Sequence, residues 1–306
     1  MLVPVSRQHS PHRAMSTTEQ TPFGYAKRLD YASRHIATRQ VRSVLDIGCG
    51  TGDRLTAPLA TRFPGVHFTG VDSDRNSIRY ASTTNRLPNL RFGLDSELMP
   101  SEPFDMIIAS EVLEHVHDPR SFLCRLRSQL TEDGFLLLTV PNGYGPFEAA
   151  SAAEGLLLAM GGETLMSAIH RFLRWLKRRI IGRGAPAARV VHDTLATSPH
   201  INFFRLRDLR TIAASAGFRV VTCQPRTLLC GFAIGRLVRS PAAQRWNASV
   251  VDQLPYWMAS GWMLVLEQAP TGWNGRAWRP GFVSRLRRSL NARRWYRGQR
   301  MVGGRS

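Results

Sequence analysis

Short apolar runs alternate with amphipathic stretches along the middle of the chain. Residues 43–47, 66–71, 90–93, 104–109 and 135–140 are brief, apolar and preceded by turn signals, a pattern that predicts strands. Between them, residues 53–63, 74–84 and 119–130 carry the three-to-four-residue apolar spacing of helices, and the aromatic and basic stretch 23–39 predicts one more helix ahead of the first strand. Repeated strand–helix units build a parallel sheet with helices on both faces and right-handed crossovers. The rhythm stops between Pro141 and about His200, where a long insertion replaces a short turn. It resumes with a helix at 205–216, with Gly217 as its C-cap, and a strand at 218–223. A last apolar strand, 262–267, follows a stretch from 224 to 261 in which no element is legible. Residues 1–21 mix Ser, Thr, Pro, Gln and His without periodicity and predict disorder.

Composition sharpens this picture at a few points. With 43% hydrophobic residues the chain can bury a sizeable core despite a formal charge of +19. The charge is uneven: ten arginines and no acid lie between Thr271 and Ser306, which leaves 19 − 10 = +9 for everything else. No apolar run approaches the roughly 18 residues of a membrane span, and Met1 to Arg13 has no secretory core. Cys49, Cys124, Cys223 and Cys230 form no Cys-x-x-Cys pair, which argues against a zinc ribbon or a disulfide scaffold. The expectation is a cytoplasmic protein, with peripheral membrane contact through its basic helices.

Chemistry enters at Val44-Leu45-Asp46-Ile47-Gly48-Cys49-Gly50-Thr51-Gly52-Asp53, a strand running into a glycine-rich turn and a helix. Glycines there let the backbone approach a ligand closely. The flanking carboxylates, Asp46 and Asp53, would repel a pyrophosphate and suit a ligand that carries positive charge, such as a sulfonium with an ammonium. Asp72, about 20 residues beyond the loop at the end of the second strand, is placed for the two hydroxyls of a ribose. Leu94 and Asp95, one strand further on, are placed for an adenine and its amino group.

From Val44 to about Val140 the chain resembles the class I S-adenosylmethionine-dependent methyltransferases. The resemblance rests on the glycine loop, Val71-Asp72, Gly93-Leu94-Asp95, Phe104-Asp105-Met106-Ile107-Ile108 and Ser110-Glu111-Val112-Leu113-Glu114-His115-Val116; the last run is similar to that of the ubiquinone-biosynthesis O-methyltransferases. It implies a Rossmann-like, doubly wound α/β sheet of seven strands, mostly parallel with an antiparallel last strand, for which 262–267 is the candidate. It implies S-adenosylmethionine as cofactor, with Asp46, Gly48, Cys49, Gly50, Gly52, Asp72, Leu94, Asp95, Ser110 and Glu111 lining its site. The domain organisation expected is a disordered 1–21, a methyltransferase domain 22–270 with a helical lid at about 146–199, and an arginine-rich tail 271–306.

Methyl transfer to a hydroxyl needs alignment and a proton acceptor. His115, His117 and His200 are the candidate bases, since all three fall near the carboxyl edge of the sheet. No metal is assigned. The alternative is a divalent ion on Glu111, Glu114 and His115 with His200 as a fourth ligand, on the premise that residues three and four apart share a helix face; that run also resembles the metal-binding segment of small-RNA 2′-O-methyltransferases. Tyr144 and Phe147, after the fifth strand, are the candidate acceptor contacts. In the insertion, Ile169, Phe172, Leu173, Leu176 and Ile180 keep helical spacing against Arg171, Arg174 and Arg178, and in the tail Phe282, Leu286 and Leu290 recur amid arginines. The leading expectation is O-methylation of a small-molecule or lipid-linked acceptor. The rivals are metal-assisted methylation of RNA, with the tail on phosphates, and a noncatalytic S-adenosylmethionine-binding or membrane-associated partner protein.

Overall fold

The computed structural model describes residues 24–97, 102–145, 200–230, 238, 240–270 and 278–289. The expected N-terminal disorder, the lid at 146–199 and Phe147 lie outside these residues. Seven strands form one sheet: β1 (Ser43–Ile47), β2 (His67–Asp72), β3 (Leu90–Leu94), β4 (Phe104–Ser110), β5 (Leu130–Pro141), β6 (Phe218–Pro225) and β7 (Gly261–Gln268), in the spatial order β3-β2-β1-β4-β5-β7-β6. The pairs from β3 to β5 are parallel, and β7 runs antiparallel to both β5 and β6. The sequence-based expectation of an antiparallel last strand at 262–267 is met by β7.

Residue parity on the strands sorts the core into two layers. Leu45, Ile47, Ile107, Ala109, Leu136, Leu138, Leu264 and Leu266 face α4 (Pro119–Arg127) and α5 (Leu206–Ser215), which contribute Leu123, Leu126, Leu209 and Ile212. Their neighbours Val44, Met106, Ile108, Phe135, Leu137, Met263 and Val265 face the opposite way, onto Leu29 and Ile36 of α1 (Tyr25–Thr38) and Leu59 of α2 (Thr56–Arg62). This is the period-two consequence of strands covered on both faces. α3 (Arg75–Thr84) begins at Asp74, whose carboxylate accepts from the backbone N–H groups of Asn76 and Ser77.

The elements differ from the sequence reading at several points. α2 starts at Thr56 rather than Asp53, because the chain stays in turns after Gly52 and the Asp53 carboxylate accepts from Asn85 Nδ2 at 3.2 Å. α4 ends at Arg127 rather than Leu130, since Leu130 already pairs with Phe104 as the start of β5. The illegible stretch contains α6 (Pro241–Val250), capped by Ser240.

The parallel arrangement brings the ends of β1, β2, β3, β4, β5 and β6 to one edge, and the antiparallel β7 begins there: Pro141 lies opposite Gly261, and Pro225 opposite Trp262. That edge is where ligands bind in open α/β sheets.

Candidate active site at the carboxyl edge of the sheet

The glycine loop hugs its neighbours. Gly48, Gly50 and Gly52 all have positive φ, at 72°, 57° and 73°. A Cβ on Gly48 would lie 2.5 Å from Val112 Cγ2, and one on Gly52 would lie 2.5 Å from the Phe92 ring, so both glycines permit close packing as well as the turn. At Gly50 a Cβ would meet nothing within 4 Å, which leaves a cradle on that side of the loop. Asp72 closes the loop: one carboxylate oxygen accepts from Gly50 N–H at 2.8 Å, the other from Asp74 N–H at 2.9 Å. Asp95 N–H donates to the Asp72 carbonyl at 3.2 Å, which brings the ends of β2 and β3 together. Leu94 is buried beside it.

Asp46 is buried and accepts from Thr56 Oγ1 at 2.6 Å. Burial pushes its carboxyl up to about 7, opposed by that hydrogen bond and reinforced by the nearby Asp72 charge. A cationic ligand in this neighbourhood favours the ionised form. The Cys49 thiol is likewise held well above its ordinary value by burial and by Asp46 and Asp72.

Two arginines frame the adjoining turn, and neither stood out in the sequence. Arg28 of α1 is buried and donates to Ser110 Oγ at 2.8 Å, while its guanidinium lies 4.5 Å from the Tyr25 ring centroid. Arg54 of the glycine loop lies over the same ring at 4.4 Å, so α1 closes on the loop through this stack. The available signal was that Arg28 sits four and eight residues before Ala32 and Ile36, on the buried stripe of α1. Arg226, just past β6, is buried and donates to the Glu111 carboxylate; the other Glu111 oxygen accepts from Thr139 Oγ1 at 2.9 Å. Glu111 has φ 60°, unusual for a residue with a side chain. Burial alone would raise its carboxyl, but Arg226 and Arg28 with the hydrogen bonds hold it well below the usual range.

That backbone turn also reorganises the expected metal set. Glu111 and Glu114 do not share a helix face: Glu111 is left-handed and engaged by Arg226, and only Leu113–His115 form a single 3₁₀ turn. His200, not Glu111, joins Glu114 and His115, with potential ligand atoms of the three all within 4.8 Å of one another. The His115 and His200 Nε2 atoms lie 3.9 and 4.0 Å from Glu114 Oε1, and their rings meet edge-on with centroids 5.0 Å apart. Glu114 is buried, and among the described residues neither carboxylate oxygen has a hydrogen-bond partner. Burial, with the Glu111 charge adding, pushes its carboxyl up to about 8. The Glu114 carbonyl accepts from Ile201 and Asn202 N–H, both at 2.9 Å, and Asn202 Nδ2 donates to the Val116 carbonyl at 2.6 Å, so segment 200–204 is stitched onto this turn.

His117 stands apart from the cluster, exposed, with its Nδ1 2.9 Å from Arg288 Nη2. Tyr144 lies at the same edge beneath the Arg205 guanidinium, 4.3 Å from its ring centroid.

The strand order, the glycine cradle and the acids at the ends of β1, β2 and β3 define a class I methyltransferase site. The methyltransferase-domain family matches residues 19–223, and the chain belongs to this family, whose cofactor is S-adenosylmethionine. A trans-aconitate 2-methyltransferase of Deinococcus radiodurans is 37% identical over 128 residues, 42% of this chain and 47% of that protein. A ubiquinone biosynthesis O-methyltransferase of Chromobacterium violaceum is 30% identical over 179 residues, 55% of this chain and 72% of that protein. A tRNA U34 carboxymethyltransferase of Shewanella baltica is 28% identical over 156 residues, 49% of this chain and 46% of that protein. Apart from the Chromobacterium protein, the chain spans about half the length of these relatives. Among solved structures, magnesium protoporphyrin IX methyltransferase from Synechocystis with bound S-adenosylhomocysteine is 16% identical with a TM-score of 0.43, covering 80% of this chain and 84% of that one.

Proposed function

We propose that this protein transfers a methyl group from S-adenosylmethionine to an oxygen of a small-molecule or lipid-linked acceptor. The observation that carries the reading is the convergence of His115 and His200 on the buried Glu114, one turn beyond the Ser110–Val112 segment that packs on the glycine loop. The residues present fit the cofactor: the loop leaves a cradle at Gly50, and the buried Arg28 has an Nε without a hydrogen-bond partner among the described residues. When bound, S-adenosylmethionine supplies a methyl carbon already activated by its sulfonium. Asp72 would accept from the ribose hydroxyls and Asp95 from the adenine amino group, while Asp46 would offer the negative charge that complements the cationic end. Arg28 supplies the counter-charge for the carboxylate of the methionine portion. His115, whose side chain is 24% exposed against 14% for His200, would take the acceptor's hydroxyl proton when the methyl group is transferred. Glu114 and His200 position its ring, and Tyr144 borders the acceptor.

The test is incubation with methyl-labelled S-adenosylmethionine and fractionated cell extract. Label is expected in a lipid or small-metabolite fraction, and His115→Ala is expected to lower turnover by about 10²- to 10⁴-fold with cofactor affinity intact. Label confined to RNA, or a fully active His115→Ala protein, overturns the reading.

One observation favours a second reading of the same trio. A carboxylate whose two oxygens lack partners, facing two imidazole nitrogens, offers the mixed O and N donors that suit a divalent transition-metal ion. Loss of activity on chelation, with recovery on adding back a divalent ion, selects it.

A further inference from the structure

The described part of the arginine-rich tail is docked, and it is docked inside out. Residues 282–289 form a helix, α7, at the carboxyl edge of the sheet. Just before it, the Trp278 ring lies 5.5 Å from the Phe204 ring. From α7, Arg287 donates to the Gly143 carbonyl at the end of β5 with its guanidinium 3.8 Å over the Phe203 ring centroid, and Arg288 meets His117. Ser284 is buried on the same side. At 100° per residue, positions 284, 287 and 288 share one face, 282 and 286 lie on the opposite one, and 283 sits at the border between them. The polar face is therefore turned to the protein, and the apolar face is open: Phe282 is 72% exposed, Val283 53% and Leu286 50%.

A surface helix ordinarily buries its apolar stripe against its own core. Here the reverse arrangement is anchored by hydrogen bonding and aromatic contact. Arg279, just before the helix, and Arg285, within it, are exposed. A further exposed aromatic, Trp257 at 67%, lies on the turn whose carbonyl accepts from Asn142, the residue next to Gly143. An apolar face rimmed by arginines and accompanied by an exposed tryptophan is the composition of an element that lies in a membrane interface.

We propose that α7 docks this edge of the sheet onto an anionic lipid surface, with Phe282, Val283 and Leu286 entering the acyl boundary and Arg279 and Arg285 on the headgroups. Charge chooses the occupant: the tail carries ten arginines and no acid from Thr271 onward, so a second copy of the chain would bring two such tails together. An RNA held through phosphates would leave the aliphatic Val283 and Leu286 in water, whereas an acyl boundary buries them. The proposal deepens the lipid-linked arm of the function proposed above, since the docked edge is the one that holds Tyr144 and His115, but the binding itself requires no methyl transfer.

The experiment is co-sedimentation of the full chain, with S-adenosylhomocysteine present, on vesicles of phosphatidylcholine alone and of phosphatidylcholine mixed with phosphatidylglycerol. Binding is expected on the mixed vesicles only. Phe282→Gln with Leu286→Gln, which leaves the charge unchanged, is expected to weaken it by about tenfold or more, and Arg279→Gln with Arg285→Gln to weaken it and blunt its salt dependence. All four side chains are exposed, so melting temperature and S-adenosylhomocysteine affinity should stay at wild-type values. Equal binding to neutral and anionic vesicles, or wild-type binding by the Phe282/Leu286 variant, overturns the proposal. So does a dimer in sedimentation velocity that this variant abolishes, which would assign the face to a second copy. A catalytically inactive protein that still sediments would sink the acceptor assignment and leave the docking standing.

Discussion

The two halves of the carboxyl edge are assembled differently. On the side of β1, β2 and β3, each polar group bonds within a short stretch of chain: Asp46 with Thr56, Asp72 with Gly50 and Asp74, Asp53 with Asn85. On the side of β4, β5 and β6, Thr139 reaches Glu111 from 28 residues away, but the other partners come from far along the chain. Arg226 is 115 residues from Glu111, Arg287 is 144 from Gly143, and His200 reaches Glu114 only because Ile201 and Asn202 bond to its carbonyl. The first half is a local device that a strand, a turn and a strand suffice to build. The second exists only when β6, β7 and the tail have closed onto β5, so the acceptor region depends on the whole fold.

The largest expected effect that tests this contrast is at Arg226. Arg226→Ala leaves the Glu111 carboxylate in a left-handed turn with the Thr139 hydroxyl as its side-chain hydrogen-bond donor among the described residues. Removing one member of such a pair costs about 3 kcal/mol, toward the lower end for buried pairs because the Glu111 side chain is 27% exposed. Urea unfolding should show that loss, and Glu111→Gln combined with Arg226→Met should recover part of it. A stability change within about 0.5 kcal/mol would mean that the turn is held by its backbone alone.

Asp72→Ala should act on the local half instead. It removes the acceptor for Gly50 and Asp74 N–H and the proposed ribose contact together, weakening S-adenosylhomocysteine binding by about 1 to 3 kcal/mol in calorimetry. The unfolding midpoint should move less than for Arg226→Ala. The reverse ranking would break the division into a local and a long-range half.

The same division governs what could be read in the chain. Strand identity and order along β1 to β5 were legible, since buried strands leave short apolar runs and the edge acids follow them directly. The partners of Glu111 were not, because Arg226 lies where no periodicity announces an element, and the left-handed turn at Glu111 is imposed by packing of Val112 on Gly48 and by Arg226 rather than by residue type. The helix-face premise behind the metal set failed for that reason. His200 was legible as a histidine near the edge, but its pairing with His115 required the stitch through Asn202. The tail's apolar spacing at Phe282 and Leu286 was visible, yet which way that face turns depends on Arg287 finding the Gly143 carbonyl.

A pH dependence carried by Asp46, spread over several pH units, probes the local half from another side. Its folded-state pKa is raised from 3.8 to about 7, chiefly by burial. The folded chain therefore keeps a proton that the unfolded chain has already released between these two values. The stability this contributes is complete below about pH 4 and is lost as pH rises toward 7. Cofactor binding should show the opposite slope, because a cationic ligand near Asp46 is bound best by the carboxylate. Affinity should fall as pH drops below 7, by no more than about tenfold per unit, with proton release on binding shown by a measured heat that varies with buffer ionisation enthalpy. Asp46→Asn should flatten both slopes while retaining an acceptor for the Thr56 hydroxyl. If the binding slope survives in that variant, the titrating group is elsewhere on the edge, and the charge complementarity assigned to the end of β1 belongs to another carboxylate.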